Sequence, residues 1–242
     1  AMVFMFLGAV NFAIHFSVVR SKSLKPYLRD AEFLFYASLL AVIALLSVYA
    51  LFAQSPEHGL ADAFREGLFH TVSIATTSGF VTSDFASWPV FIPVMLLFAS
   101  FVGGCAGSTG GGMKVIRVLL LIKQGQREIM RLIHPNAQVT VKVGKTPVKN
   151  SIIDAVWGFF AAYVALFALM MLVLMFNGLD QVTAFSAVAA TINNLGPGLG
   201  DVSANYASLS DVNKLILCFS MLLGRLEIFT LLVLFMPAFW RK

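Results

Sequence analysis

The sequence predicts an all-α polytopic membrane protein, and three observations support that fold class. Hydrophobic residues make up 59% of the 242 residues, only 12% are charged, and the mean hydropathy is +0.85. A soluble domain of this length cannot bury so much apolar surface. Several uncharged runs approach or exceed the ~20 residues that a helix needs to cross a bilayer. Two shorter helical segments lie between these runs, and each leads into a glycine-centred loop.

The first half of the chain contains two predicted spans and the first short helix. Ala1–Val19 is long enough for most of one span, Arg20–Arg29 is basic, and Phe33–Ala53 is uncharged and spans. Pro56–Gly59 is predicted to turn the chain into a helix over Asp62–Ala75, about 21 Å long at 1.5 Å per residue. Because a bilayer core is about 30 Å thick, this helix must enter the membrane and return on the same side.

The second half repeats this order around an interrupted span. A third span begins at Val90, breaks at the glycine-rich stretch Gly103–Gly112 and resumes through Val115–Ile122. The remaining predicted elements are a basic segment Lys123–Lys149, a span Ala155–Phe176, a second short helix Leu179–Asn193 and a last span Val212–Phe239 that contains Arg225.

The two loops that follow the short helices align with each other, with Gly79 and Gly196 separated by 117 residues. Backbone that is not helical is tolerated at membrane depth only where protein buries it or where it lines a water-filled path. The repeat therefore predicts a pore module. Its candidate residues are Thr76, Thr77, Ser78 and Gly79 in the first loop and Asn193, Asn194, Leu195 and Gly196 in the second.

The chemistry of these loops favours a cation. Cation filters use backbone carbonyls in place of the hydration shell, and glycine lets the chain turn those carbonyls inward. Each short helix directs its C-terminal end, the negative end of its dipole, at its loop. An anion site would require helix N-termini at that position.

The distribution of charge predicts the orientation. Every Lys and Arg except Arg65, Lys214 and Arg225 lies on the side that holds the basic segments and the Arg241–Lys242 end. Basic segments face the cytoplasm, so both loops enter from outside. The acidic residues on the loop side either concentrate cations at the pore mouth or are ordinary loop acids.

Four motifs carry a resemblance to a known family: TTSGF, GGCAGSTGGGMK, NNLGPGLGD and LLGRLE. In this order the chain resembles the Trk/Ktr/HKT superfamily of potassium transporters, in its bacterial Trk branch. The resemblance implies four repeats around one pseudo-fourfold, potassium-channel-like pore. Residues 1–29 then end a preceding repeat, and residues 30–149 and 150–242 form two further repeats. It places the potassium filter at the eight loop residues, although the second loop replaces hydroxyl residues with Asn and adds Pro197.

The resemblance also implies a setting and partners. It implies potassium uptake across the bacterial inner membrane, a lipid environment, a homodimer, and a cytoplasmic ring of nucleotide-binding regulatory subunits of the TrkA type. The segment Lys123–Lys149 is either a docking surface for that ring or a site for anionic lipid. No cofactor, enzymatic activity or nucleic-acid partner is expected for this chain. The flux is either passive or coupled to H⁺ or Na⁺.

The interrupted span departs from the phosphate-loop pattern, because Met113 precedes Lys114 and Val115 follows it. The resemblance implies an intramembrane gating loop, whereas Gly103-x-x-x-Gly107 alone would also suit helix packing. The candidate gate residues are Gly103, Gly104, Gly107, Ser108, Thr109, Gly110, Gly111, Gly112 and Arg225.

Arg225 is exceptional because an arginine within a span costs about 2.5–3.5 kcal/mol even on lenient scales. Glu227 lies roughly 200° around a continuous helix from it, so the two do not simply pair. Arg225 is therefore either an electrostatic barrier in the permeation path or one half of a structural ion pair.

Three other classes of protein are alternatives to a potassium pore. An intramembrane serine protease would use Ser78 with His70, yet Thr76 occupies the first position of the Gly-x-Ser-Gly pattern. A transporter with inverted repeats needs halves of opposite topology, whereas both loops here enter from one side. A purely structural membrane subunit would not conduct ions.

Overall fold

The computed structural model describes residues 1–54 and 59–240, and the described chain is almost entirely helical. The predicted turn at Pro56–Gly59 and the Arg241–Lys242 end fall wholly or largely outside these ranges. The helices are α1 (Met2–Gly8), α2 (Phe12–Ser21), α3 (Lys25–Arg29), α4 (Ala31–Gln54), α5 (Leu60–Ala75), α6 (Phe91–Val102), α7 (Val115–Ile133), α8 (Asn150–Phe176), α9 (Gln181–Ile192), α10 (Asp211–Arg225), α11 (Ile228–Leu234) and α12 (Pro237–Trp240).

Two helices, α4 and α8, are long and apolar enough to cross a membrane unaided. They confirm the spans predicted over Phe33–Ala53 and Ala155–Phe176 and extend each by a few residues. The short helices are also confirmed, as α5 and α9. The predicted fold class, an all-α polytopic membrane protein, is correct.

The span predicted over Ala1–Val19 is not one straight helix. Helices α1 and α2 are bent by 102° at a break around Val10. Asn11 starts the new helix by accepting a hydrogen bond from the Ala13 amide at 2.8 Å. The Ala9 carbonyl faces away from the helix and accepts a hydrogen bond from the Cys105 amide at 2.8 Å. The contact with a distant segment replaces the lost helical hydrogen bonds.

The last span, predicted as continuous over Val212–Phe239, is also broken. Helices α10 and α11 are bent by 112°, and the break follows Arg225 directly. Glu227 has φ +60°, which ends the helical hydrogen-bond ladder. Lys114 has nearly the same conformation at the start of α7, with φ 76° and ψ 133° against 60° and 132°. Two of the broken helices therefore restart through one kind of backbone turn.

The break predicted at Gly103–Gly112 is confirmed, since α6 ends at Val102 and α7 begins at Val115. The segment Lys123–Lys149 is not simply a loop, however. Helix α7 continues to Ile133, and a two-stranded antiparallel hairpin follows, with β1 at Lys142–Val143 and β2 at Thr146–Pro147. The helix continues because one of its faces is buried, as the burial of Leu119, Leu120 and Arg127 shows.

Packing repeats with the sequence. Helix α5 packs between α4 and α6, and α9 packs between α8 and α10. In addition α1 contacts α5, and α6 contacts α9 in the same relation. Each short helix therefore touches the outgoing helix of the preceding repeat, the arrangement expected of repeats placed around a common axis.

Candidate functional site

Each short helix ends in the same hydrogen-bonded turn. In the first loop the Ser78 amide donates to the Ser73 carbonyl at 2.8 Å and the Thr77 amide donates to Ile74 at 3.0 Å. In the second loop Leu195 donates to Ala190 at 2.8 Å and Asn194 donates to Thr191 at 3.0 Å. Both patterns are Schellman motifs, which close a helix C-terminus by turning amides back toward it.

The backbone dihedral angles match as well. Thr77 and Asn194 have φ 58° and 54°, and two residues later Gly79 and Gly196 have φ 74° and 110°. Asparagine tolerates positive φ, but for the β-branched Thr77 this conformation is a steric outlier. Strain of this kind persists where the surrounding structure imposes it, and it is found at functional sites. The sequence did not predict this strain.

The loop amides point back at the helices, whereas all but one of the loop carbonyls have no donor among the described residues. Of the eight predicted filter residues, only Gly196 has a carbonyl that accepts a hydrogen bond from a described residue. Its donor is the Tyr206 hydroxyl at 2.7 Å. Burial raises the pKa of Tyr206 to about 12, so its hydroxyl keeps the proton that it donates. The remaining carbonyls, on Thr76–Gly79 and on 193–195, accept no hydrogen bond from a described residue, and those of Asn193 and Leu195 lie against the backbone of Gly111 and Gly79.

The two loops lie against each other. A Cβ added at Gly79 would overlap the Leu195 carbonyl oxygen and would come within 3.3 Å of Pro197 Cδ. At Gly196 an added Cβ would meet no atom within 4 Å. The close approach therefore explains glycine at position 79, and the positive φ explains it at both positions.

The glycine-rich segment Gly103–Gly112 is anchored by the break between α1 and α2. The Thr109 amide and hydroxyl both donate to the Gly8 carbonyl, at 3.2 and 3.0 Å. The Gly107 carbonyl accepts from the Phe12 amide at 3.2 Å. The predicted gate segment is thus irregular, as expected, but it is extensively hydrogen-bonded.

Glu32 is a residue of this site that sequence reasoning missed. Its side chain is buried at the start of α4, and its carboxylate accepts hydrogen bonds from the Ala106 amide at 2.7 Å and the Ile116 amide at 3.2 Å. One carboxylate therefore holds both sides of the break between α6 and α7. The available signal was an acidic residue at the edge of an apolar run.

The gate segment also contacts both loops. The Gly111 amide donates to the Thr77 hydroxyl at 2.5 Å, and a Cβ on Gly111 would overlap the Asn193 carbonyl oxygen. A cavity of about 350 Å³ lies beside the first loop, and another of about 300 Å³ lies toward α8 and α10. Gly110 lines both cavities, so this segment forms part of the wall of each.

Arg225 is the last residue of α10 and lines the second of these cavities. Its side chain is exposed rather than buried within the helical bundle. Its guanidinium donates to the Thr109 carbonyl at 3.4 Å, which connects it to the gate segment. Glu227 pairs instead with Arg117 at 3.0 Å. Within residues 1–54 and 59–240 no carboxylate forms an ion pair with Arg225, which does not favour the structural-pair alternative.

The protease pair is not assembled. The Ser78 hydroxyl bonds to the Thr76 hydroxyl at 2.9 Å. His70 is fully buried, and its ring nitrogens contact the Glu66 carbonyl at 2.9 Å and the Thr82 amide at 3.4 Å. His70 thus holds the chain that leaves the first loop.

Two helices that end in matched loops, each packed between the helices that precede and follow it in the chain, are typical of ion-conducting membrane proteins built from repeated pore units. A profile of the TrkH family, described as cation transport protein, matches residues 1–242. The chain belongs to this family.

Named relatives agree with this assignment. The chain is similar to the Trk system potassium uptake protein TrkH of Vibrio parahaemolyticus, with 51% identity over 99% of the chain and 50% of that protein. It is 52% identical to TrkH of Halomonas elongata, over 99% of the chain and 49% of that protein. The crystal structure of the potassium transporter TrkH from Vibrio parahaemolyticus matches with a TM-score of 0.94 and 51% identity, over 99% of this chain and 52% of that one. The chain spans about half the length of these relatives.

Proposed function

We propose that this chain supplies two repeats of a potassium-uptake pore, with Thr76–Gly79 and residues 193–196 forming its part of the filter. The observation that carries the proposal is the set of loop carbonyls, at the C-terminal ends of α5 and α9, that accept no hydrogen bond from a described residue. The two loops contact each other at Gly79 and Leu195, so the two sets of carbonyls lie close together. Carbonyl oxygens and negative helix ends both favour a cation.

Potassium is the ion proposed because similar proteins are named potassium uptake proteins. The two repeats account for about half of such a protein, so further repeats would complete the pore. The setting proposed is the bacterial inner membrane, with basic segments in the cytoplasm and the loops entered from outside. The homodimer and the TrkA-type nucleotide-binding ring implied by the family belong to the same proposal.

The segment Gly103–Gly112 is proposed as the gate of this pore. It lines two cavities and touches both loops, so a shift of the segment would change the space beside the loops. Arg225 is proposed as a cationic barrier that acts with this segment, since it contacts Thr109 and lines the cavity toward α8 and α10.

The test is ion flux through the full-length protein in liposomes, with potassium and sodium compared under matched gradients. Empty liposomes and liposomes that contain an unrelated membrane protein are the controls. We expect uptake of potassium well above that of sodium. Equal uptake of the two ions, or no uptake above the controls, would exclude a potassium filter.

A further inference from the structure

Asn193 holds the second loop through a buried side-chain bridge. Its side chain is fully buried, its Oδ1 accepts a hydrogen bond from the Tyr163 hydroxyl at 2.6 Å, and its Nδ2 donates to Ser100 Oγ at 2.9 Å. Ser100 in turn donates to the Leu97 carbonyl at 2.6 Å. The order of donors is therefore fixed along the whole chain of bonds, which we call the Asn193 bridge.

The Asn193 bridge joins two repeats. Tyr163 lies in α8, which belongs to the second repeat, whereas Ser100 lies in α6 of the first. Neither residue contributes a carbonyl to the loops. The corresponding residue of the first loop, Thr76, bonds instead to Ser78 within its own loop.

The bridge fixes the peptide group that carries one of the free carbonyls. The Asn193 carbonyl oxygen lies against Gly111 of the gate segment, and no described residue donates a hydrogen bond to it. Both ends of the side-chain amide are held, so the Cα of Asn193 stays in place, and the peptide group that carries its carbonyl is held in turn by the Asn194 amide, which donates to the Thr191 carbonyl at 3.0 Å. A buried polar group that loses its partner is costly, so the bridge resists displacement of Asn193.

We propose that Tyr163 and Ser100 are positioning residues that set ion selectivity by orienting the Asn193 carbonyl. This inference rests on the proposed potassium filter. A smaller cation binds well only if the carbonyls move inward, and the Asn193 bridge opposes that movement. Loss of either hydroxyl therefore lowers the preference for potassium and leaves conduction intact.

The experiment measures the ratio of potassium to sodium permeability of the full-length protein in liposomes. The variants are Tyr163→Phe and Ser100→Ala, each of which removes one hydroxyl, and the double variant. Tyr49→Phe is the matched control, since Tyr49 is 72% exposed on α4. We expect each single variant to lower the ratio roughly three- to tenfold, as the loss of one buried hydrogen bond would. Tyr49→Phe should leave it unchanged.

The double variant separates positioning from general packing. Because both hydroxyls act through the same amide, its loss should equal about that of the larger single variant, and independent effects would multiply. Total potassium flux and the yield of monodisperse protein should stay near those of the parent. If the parent prefers potassium and both Tyr163→Phe and Ser100→Ala keep the same permeability ratio, this inference is overturned and the proposed function stands. A parent without potassium preference overturns the proposed function, and the inference with it. If Tyr163→Phe fails to fold, Ser100→Ala decides the question from the other helix.

Discussion

The two loops have one backbone conformation but are held by different contacts. In the first loop a local hydroxyl pair joins Thr76 to Ser78 at 2.9 Å. In the second, Asn193 reaches two other helices, and the Leu195 side chain is buried in the core of the first repeat. The first loop is held partly by its own residues, although its Thr77 hydroxyl also accepts from the Gly111 amide, whereas the Asn193 side chain bonds to other helices.

This difference shows which part of a repeat is specified by backbone and which by side chains. The Schellman turns and the positive φ values are alike in both loops, although the residues differ. The side-chain contacts differ between the loops. The hydroxyls of the first loop bond within the loop and to Gly111, whereas the Asn193 amide of the second bonds to α8 and α6. Perturbing one loop at a time therefore tests whether the two contribute equally.

The largest effect is expected from Gly79→Ser compared with Gly196→Ser. A side chain at Gly79 would overlap the Leu195 carbonyl oxygen, whereas the space beside Gly196 is open. We expect Gly79→Ser to lower the potassium-to-sodium permeability ratio by more than tenfold. Gly196→Ser carries only the backbone penalty, about 1–2 kcal/mol, and a smaller loss. The measurement is relative permeability in liposomes, and equal losses in the two variants would contradict the asymmetry.

The next largest effect is expected from Gly111→Ala, which tests the contact between the gate segment and the second loop. Gly111→Ala places a methyl group on the Asn193 carbonyl oxygen, so the segment must move away from the second loop. We expect basal potassium flux to change severalfold and any regulation by the proposed cytoplasmic ring to weaken. Gly125→Ala is the control, because nothing lies within 4 Å of its added Cβ. Flux in Gly111→Ala that matches the control would assign the segment to packing alone.

A smaller effect is expected from Arg225→Ala, which removes a cation from the cavity next to the second loop. The guanidinium is exposed, so screening limits its repulsion of a passing ion to a few-fold change in flux. We expect potassium flux to rise and relative permeability to stay the same. Single-channel conductance at low and high ionic strength measures this, and the gain should shrink with salt. A changed selectivity would place Arg225 in the filter.

The smallest effect is expected at the N-terminus of α9. Asp180 caps this helix through the Val182 and Thr183 amides at 3.0 and 3.1 Å, whereas Gly59 at the start of α5 offers no side-chain cap. Hydrogen bonds from the Thr183 side chain and amide hold the pKa of Asp180 below its ordinary value of 3.8. Its stabilisation is thus complete above that value and is lost as the pH falls through the lower folded-state pKa.

Asp180→Ala should therefore lower thermal stability at neutral pH by about 1 kcal/mol, the usual cost of a lost cap. The difference between parent and variant should vanish in strong acid. Melting temperatures in detergent at pH 7 and well below pH 3.8 measure both. A difference that persists unchanged in acid would show that the carboxylate is not the cap.

Sequence reasoning predicted α4, α5, α8 and α9 well, because apolar runs and loop glycines are local signals. It predicted the break at Gly103–Gly112 for the same reason. It missed the breaks at Val10 and Glu227, since neither lies in a glycine-rich stretch and the charges of Arg225 and Glu227 were interpreted within a continuous span. The role of the eight loop residues as a filter stays a prediction, and so does the gate.

The sequence by itself determined the membrane-embedded helical fold, the repeat and the two turns that close the short helices. These follow from hydrophobic runs and from residues close together in the chain. Only the tertiary structure decided how the turns are supported. The bond from Glu32 to Ala106 spans 74 residues, and that from Asn193 to Ser100 spans 93. Local patterns contain no information about which distant polar groups will meet, because that choice depends on how the helices pack.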